Sequence, residues 1–95
     1  MKYGIEYYTE NYVDVYEYGT KNEQVVRDWL KKLANQYIDD YKEDNYIATE
    51  IDINEDGSSA HLEFEGEEDD DYFYIDLELV SNDGTGWVGL DGRKI

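Results

Sequence analysis

The stretch VVRDWLKKLANQYIDDY (Val25–Tyr41) decides the fold, because it is the part of this chain with a clear helical period. Apolar residues recur along it at four-residue spacing, and further apolar residues beside them complete one broad stripe. The pattern predicts an amphipathic helix that ends near Lys42–Asn45. Upstream, Thr20 followed three residues later by Glu23 is typical of a capping box and predicts the start of the helix.

The residues before the helix alternate with the period of a β-strand. Tyr3–Tyr7 alternates large apolar residues with small or polar ones. The run Tyr12–Tyr18 places Val13 and Val15 on one face, and three tyrosines with Asp14 on the other. This segment predicts either one hairpin or one bent strand.

The residues after the helix again alternate with a period of two, which predicts strands with one apolar face each. The connections Asn54–Gly57 and Gly66–Asp71 are rich in turn residues and short enough for an antiparallel meander. The predicted strands are Ile47–Ile53, Ala60–Glu65 and Phe73–Leu79.

A glycine-punctuated tail follows Asn82, and its apolar residues Trp87, Val88 and Leu90 predict one more short strand. No proline or linker-like segment divides the 95 residues, so a single domain spanning residues 1–95 is expected. The predicted fold class is α+β: an antiparallel β-sheet of about four to six strands with one amphipathic helix packed on one face.

Charge is the most unusual property of the composition. The chain has 25 acidic and 8 basic side chains, a net charge of -17, and residues 43–92 contain 17 acids without a single Lys or Arg. Such a surface repels nucleic acid and anionic membranes and is attracted to basic clefts. The absence of cysteine rules out disulfides and thiolate metal sites, and the absence of a long apolar run predicts a soluble, cytoplasmic protein.

The strand alternation places these acids on the sheet face that is turned away from the helix. Alternate residues of a strand are about 6.5–7 Å apart and neighbouring strands about 4.8 Å, so the carboxylates form a grid. Its repeat is close to the roughly 6–7 Å between successive phosphates of one nucleic-acid strand. The predicted partner-binding residues are these acids, those of the adjoining turns, and two tyrosines: Glu50, Asp52, Glu55, Asp56, Glu63, Glu65, Glu67, Glu68, Asp69, Asp70, Asp71, Tyr72, Tyr74, Asp76 and Glu78.

A simpler interpretation of the acids stays open, namely a solvated face that keeps the protein soluble. The exclusion of every basic residue from fifty consecutive positions favours a surface that meets a partner. The tyrosines are open to two interpretations as well, because Tyr is enriched at protein interfaces and is also a good strand former.

The segment DINEDGSSAHLE (Asp52–Glu63) fits part of the EF-hand loop pattern, in which oxygen ligands at alternate positions surround calcium. Its flanks alternate with a period of two, whereas an EF-hand needs a helix on each side. The pattern therefore favours an acidic hairpin over a calcium site.

Signals for catalysis are weak. His61 is the only histidine and is predicted at the surface among acids. No nucleophile motif, phosphate-binding loop or zinc spacing occurs. The chain is expected not to be an enzyme, with no catalytic residue, no cofactor and no metal ligand.

In size, acidity and sheet-borne carboxylates, above all EFEGEEDDDYFYIDLE (Glu63–Glu78), the chain resembles the small acidic phage inhibitors of nucleic-acid enzymes. These are anti-CRISPR and anti-restriction proteins that mimic DNA, and the likeness is to the class as a whole. It implies a monomer or homodimer in the host cytoplasm that binds the basic channel of a CRISPR effector. Two alternatives stay open: an immunity protein that neutralises a basic toxin nuclease or deaminase, and a calcium-binding module.

Overall fold

One helix and six strands make up the fold in this computed structural model, which describes residues 1–95. The predicted helix between strands is confirmed, and so is the α+β class. In chain order the elements are β1 (Lys2–Thr9), β2 (Tyr12–Glu17), α1 (Glu23–Glu43), β3 (Ile47–Ile53), β4 (Ser59–Glu65), β5 (Tyr72–Asn82) and β6 (Trp87–Gly89).

The strands form one antiparallel sheet in the order β2-β1-β5-β4-β3, with β6 paired to the end of β5. The predicted meander of β3, β4 and β5 is confirmed. The N-terminal segment is a hairpin, and its first strand lies beside β5. The short strand predicted in the tail is present as β6, although Leu90 lies outside it.

The core lies between α1 and one face of the sheet. The helix contributes Val26, Leu30 and Ala34, which are fully buried because they share one side of α1. The sheet contributes alternate residues of three adjacent strands, β1, β5 and β4, and there the predicted apolar faces are buried. The prediction is wrong for part of β3, because a register shift between Ala48 and Glu50 places Ile47 opposite Glu65, where it is exposed, and Ile51 is exposed at the sheet edge. The buried sheet residues are Ile5, Ala60, Leu62, Phe64, Ile75, Leu77 and Leu79.

The helix starts two residues later than the capping-box pattern implied. Its N-cap is Asn22, whose side-chain oxygen accepts a hydrogen bond from the Gln24 backbone N–H at 3.0 Å. The Thr20 hydroxyl instead accepts from the Asn22 backbone N–H at 3.1 Å, so it stabilises the turn before the helix. Glu23 pairs with Arg27 one turn later rather than reaching back to Thr20.

The tyrosines of β2 face the helix, not the acidic surface. Tyr16 lies opposite the buried Ile5, and its hydroxyl is 3.3 Å from the hydroxyl of Tyr37 on α1. Beyond the strand, Tyr18 stacks on Trp29 with ring centroids 6.2 Å apart. These side chains close the end of the core, while the valines of β2 point to the other side of the sheet. The single helix is too polar to cross a membrane.

Candidate functional site

The sheet surface opposite α1, called the outer face below, gathers most of the predicted site. Leu62 and Phe64 of β4 are buried against the helix. Their neighbours His61, Glu63 and Glu65 therefore point outward, because successive side chains of a strand alternate between faces.

Strand register extends this surface across three strands. Glu63 lies between Glu50 of β3 and Tyr74 of β5, and the next row joins Asp52, His61 and Asp76. Eight of the predicted residues share the outer face in this way: Glu50, Asp52, Glu63, Glu65, Tyr72, Tyr74, Asp76 and Glu78.

Five of the six acids that β3, β4 and β5 place on the outer face have no Lys or Arg partner. No Lys or Arg nitrogen lies within 4.0 Å of the carboxylates of Glu50, Asp52, Glu63, Glu65 or Asp76. Glu50 and Glu63 face each other directly across two strands. Each such like-charge pair destabilises a sheet by up to about 1 kcal/mol.

His61 lies at the centre of these acids. Its Nδ1 is 2.6 Å from Asp76 Oδ1, and its Nε2 is 3.3 Å from Glu63 Oε2 and 3.7 Å from Glu50 Oε2. The Tyr72 hydroxyl donates a hydrogen bond to the other oxygen of Glu63, Oε1. That hydrogen bond is the main reason why the pKa of Tyr72 is raised to about 12.

The C-terminal tail brings one arginine onto the outer face. Nη2 of Arg93 is 2.6 Å from Glu6 Oε1 and 2.8 Å from Glu78 Oε2, two carboxylates that lie opposite each other on β1 and β5. These hydrogen bonds raise the pKa of Arg93 above its usual range. Glu78, predicted to meet a partner, is therefore already paired within the chain.

Glu6 is the residue of this surface that the sequence patterns did not single out. Only 1% of it is exposed, so it is a buried carboxylate with one guanidinium partner. Its place on the outward side of β1 follows from the alternation of Tyr3–Tyr7. Its pairing with Arg93 joins residues 87 positions apart, for which no local pattern exists.

Glu55 and Asp56, also predicted for the site, lie on the helix side of the molecule. Nζ of Lys31 donates to the Glu55 carbonyl oxygen at 3.2 Å, and Nη1 of Arg27 donates to the Asp56 carbonyl oxygen at 3.0 Å. The Asp56 carboxylate accepts hydrogen bonds from Ser58, which lower its pKa. The β3–β4 turn thus packs on α1, and its acids do not extend the outer face.

The β4–β5 connection supplies the remaining acids at the end of the outer face, between Glu65 and Tyr72. Asp71 accepts a hydrogen bond from the Tyr46 hydroxyl at 3.0 Å, which holds the connection against the end of α1. The other four acids are exposed: Glu67, Glu68, Asp69 and Asp70.

The EF-hand-like segment is the β3–β4 hairpin, so the predicted strand flanks are confirmed. Two of its oxygen-bearing side chains are used inside the turn. Asn54 donates to the Ser59 hydroxyl at 2.6 Å, and Asp56 accepts from the Ser58 backbone N–H at 2.9 Å. These contacts direct the two side chains to the turn itself.

The outer face of β3–β5 thus carries five carboxylates without a Lys or Arg partner, and on one side it is bordered by Glu78 and the Arg93 tail that pairs with it. Comparisons of the chain with protein-family models, with curated proteins and with solved structures found no match.

Proposed function

We propose that this protein inhibits a nucleic-acid enzyme, such as a CRISPR effector nuclease, by placing its outer face in the basic channel that normally holds DNA. The observation that carries the proposal is the row of carboxylates on β3, β4 and β5 that no Lys or Arg of the chain neutralises. Arginines and lysines of a nucleic-acid channel would supply the missing partners.

The Arg93 contact supports this recognition chemistry. One guanidinium group bridges Glu6 and Glu78 with nitrogen–oxygen distances of 2.6 and 2.8 Å, which are typical of charge-assisted hydrogen bonds. Glu63 and Glu50 are likewise opposite each other on adjacent strands. An arginine from a partner would meet there a pair of carboxylates like the pair that binds Arg93.

The dimensions of the molecule fit a channel for a duplex. The molecule is 44 Å long and carries a net charge of -17, or one net charge per about 2.6 Å. A DNA duplex carries one charge per about 1.7 Å of its axis. The protein therefore approaches the charge density of DNA, and it offers a nuclease no phosphodiester bond to cut.

The energetics of the sheet favour a functional role for the charge. Like charges on facing strands weaken a sheet, and a lysine at any of these positions would relieve the repulsion. The chain uses lysine on α1, for example at Lys31 and Lys32, but not on β3, β4 or β5. A requirement for binding explains why the acids are kept there.

A competition experiment tests the proposal. Tagged protein is used to capture partners from cells that carry CRISPR and restriction systems, at low salt and at about 0.5 M NaCl, where charge interactions are screened within about 4 Å. The captured enzyme is then mixed with labelled DNA and increasing amounts of the protein. The proposal predicts salt-sensitive capture and displacement of the DNA.

If the captured enzyme bound DNA and this protein at the same time, the proposal that the protein occupies the DNA channel would be contradicted. Capture that is equally strong at both salt concentrations would contradict recognition by charge. A captured toxin nuclease or deaminase, rather than a defence enzyme, would identify the protein as an immunity protein instead.

A further inference from the structure

His61 on the outer face makes side-chain contacts that recognition of a basic partner does not explain. Nδ1 of His61 is 2.6 Å from Asp76 Oδ1. A carboxylate only accepts hydrogen bonds, so Nδ1 carries the proton and donates it to Asp76. In the neutral imidazole, Nε2 then carries a free lone pair.

Two carboxylate oxygens lie near Nε2. Nε2 is 3.3 Å from Glu63 Oε2 and 3.7 Å from Glu50 Oε2. A charge-assisted N–H···O bond is about 2.7–2.9 Å long, so neither distance is that of a strong hydrogen bond from a protonated ring. Nε2 of His61 and one oxygen each of Glu63 and Glu50 are thus three electron-pair donors that lie close together without a hydrogen bond between Nε2 and either carboxylate.

The two separations between Nε2 and the carboxylate oxygens are close to the edge length of a metal coordination tetrahedron. Zinc binds His nitrogen and carboxylate oxygen at about 2.0–2.2 Å, which places ligand atoms about 3.3–3.6 Å from one another. The ligand atoms of Glu50, His61 and Glu63 all lie within 4.8 Å of one another. Binding an ion requires the carboxylates to come closer by side-chain rotation, and the Glu50 side chain is exposed at the edge of the sheet.

Two neighbouring groups hold the ligands in place. Asp76 fixes the orientation of His61 through Nδ1, which is the usual arrangement behind a metal-bound imidazole. The Tyr72 hydroxyl donates to Glu63 Oε1, and the other oxygen, Oε2, is the one that lies 3.3 Å from Nε2 of His61. This support distinguishes the cluster from Asp52 and Glu65 of the same face, whose carboxylates make no side-chain hydrogen bond.

We propose that Glu50, His61 and Glu63 bind one zinc-like divalent transition-metal ion on the outer face. The imidazole favours such an ion over calcium or magnesium, which prefer oxygen ligands alone. Three protein ligands leave one position open to water or to a partner's side chain. This site goes beyond the proposed inhibition and does not depend on it: with an ion bound at Glu50 and Glu63, a partner's arginines would meet the other unpaired acids of the outer face.

The ligands lie on two different strands, which is why no zinc spacing is visible in the sequence. His61 and Glu63 are two residues apart on β4, and Glu50 joins them only through the register of β3. The expectation of no metal ligand rested on the absence of a linear motif, so it did not address a site of this kind.

Calorimetric titration of EDTA-treated protein with Zn²⁺ tests the proposal. We expect one ion per chain and at least a tenfold weaker affinity in His61→Gln. Asp76→Asn should weaken binding by about 10–100-fold, the usual effect of losing the group behind a metal-bound histidine. The matched control is Glu65→Gln, which removes an outward acid of the same strand and should leave the affinity unchanged within about twofold.

His61 also provides a second readout, because it is the only histidine and its ring signals are unambiguous in a proton NMR spectrum. One equivalent of Zn²⁺ should shift them, and excess Ca²⁺ should not. Unshifted signals would overturn the proposal. So would equal losses of affinity in His61→Gln and Glu65→Gln, since these would indicate diffuse attraction to the acidic surface.

Discussion

At the scale of single residues, Arg93 and Glu6 form the contact on which the outer face depends most. Glu6 is almost completely buried, and Arg93 is the only basic group bonded to it. A buried carboxylate is tolerated only when it is paired, so the tail has to stay in place to neutralise it. The pair also marks the border between the tail and the acids of β3–β5.

Replacing Arg93 by Ala should therefore destabilise the protein. Loss of one partner of a buried pair costs roughly 3–5 kcal/mol, and we expect about 2 kcal/mol here because Arg93 is partly exposed to solvent. The double variant Glu6→Gln/Arg93→Ala should recover part of this loss, because it leaves no buried unpaired charge; Glu78, which also loses its partner, is more exposed to solvent. Urea unfolding of the two single variants and the double variant measures the coupling, and strictly additive effects would contradict it.

Two candidate N-cap residues before α1 explain why the start of the helix was predicted two residues too early. Thr20 and Asn22 are both good N-cap residues and lie two positions apart. The capping-box pattern favoured Thr20, but its hydroxyl bonds to Asn22 and leaves the cap to the asparagine. The choice between two such caps depends on the path of the preceding turn, which sequence does not reveal.

At the scale of elements, local periodicity was sufficient to predict α1 and the meander of β3, β4 and β5. Each of these elements has an apolar face that only one partner layer can bury. The pairing of β1 with β5 was not predicted, because strands far apart in sequence carry no local signal of adjacency. The helix-facing tyrosines of β2 were not assigned to a layer for the same reason.

The tyrosines between the N-terminal hairpin and α1 make stability sensitive to alkaline pH. Burial and the hydrogen bond to Tyr16 raise the pKa of Tyr37, and burial raises the pKa of Tyr7, which packs on Tyr37. On the outer side of β1, burial also raises the pKa of Tyr8 to about 12. The unfolded chain loses these protons near pH 10, whereas the folded protein keeps them. Their stabilising effect is thus complete below about pH 10 and is lost as pH rises toward 12 and above.

Urea unfolding at a series of pH values measures this loss. The free energy of unfolding should fall steadily above about pH 10. Tyr37→Phe removes one of the titrating hydroxyls, so its stability should fall less steeply over the same range. A free energy of unfolding that is constant up to about pH 12 would show that these tyrosines do not titrate differently in the folded and unfolded states.

At the scale of the whole molecule, folding and binding should respond to salt in opposite directions. A net charge of -17 opposes compaction, and about 0.1 M salt reduces the range of that repulsion to about 10 Å. The thermal unfolding midpoint should therefore rise with NaCl. A constant or falling midpoint would mean that the repulsion between the acids does not limit stability.

Strand alternation was sufficient to predict most of the acids of the outer face, because it assigns alternate residues to one surface. Eight of the predicted residues lie on that surface. Alternation does not predict toward which side of the sheet the turns and the C-terminal tail pack. Arg27 and Lys31 draw Glu55 and Asp56 toward the helix, and Arg93 covers Glu78. These contacts depend on long side chains that reach across elements.

The central claim is that the outer face binds the basic channel of a nucleic-acid enzyme, and charge reversal tests it most directly. Asp52→Lys/Glu65→Lys changes two exposed acids of this face that make no side-chain hydrogen bond. The matched control, Asp39→Lys/Asp40→Lys, makes the same charge change on exposed residues of α1. The measurement is the concentration of each variant that halves DNA cleavage by the captured enzyme.

We expect the outer-face variant to need at least about tenfold more protein, since the loss of two close charge pairs is worth more than 1.4 kcal/mol. The helix variant should match the unchanged protein within about twofold. Equal inhibition by both variants would contradict the claim.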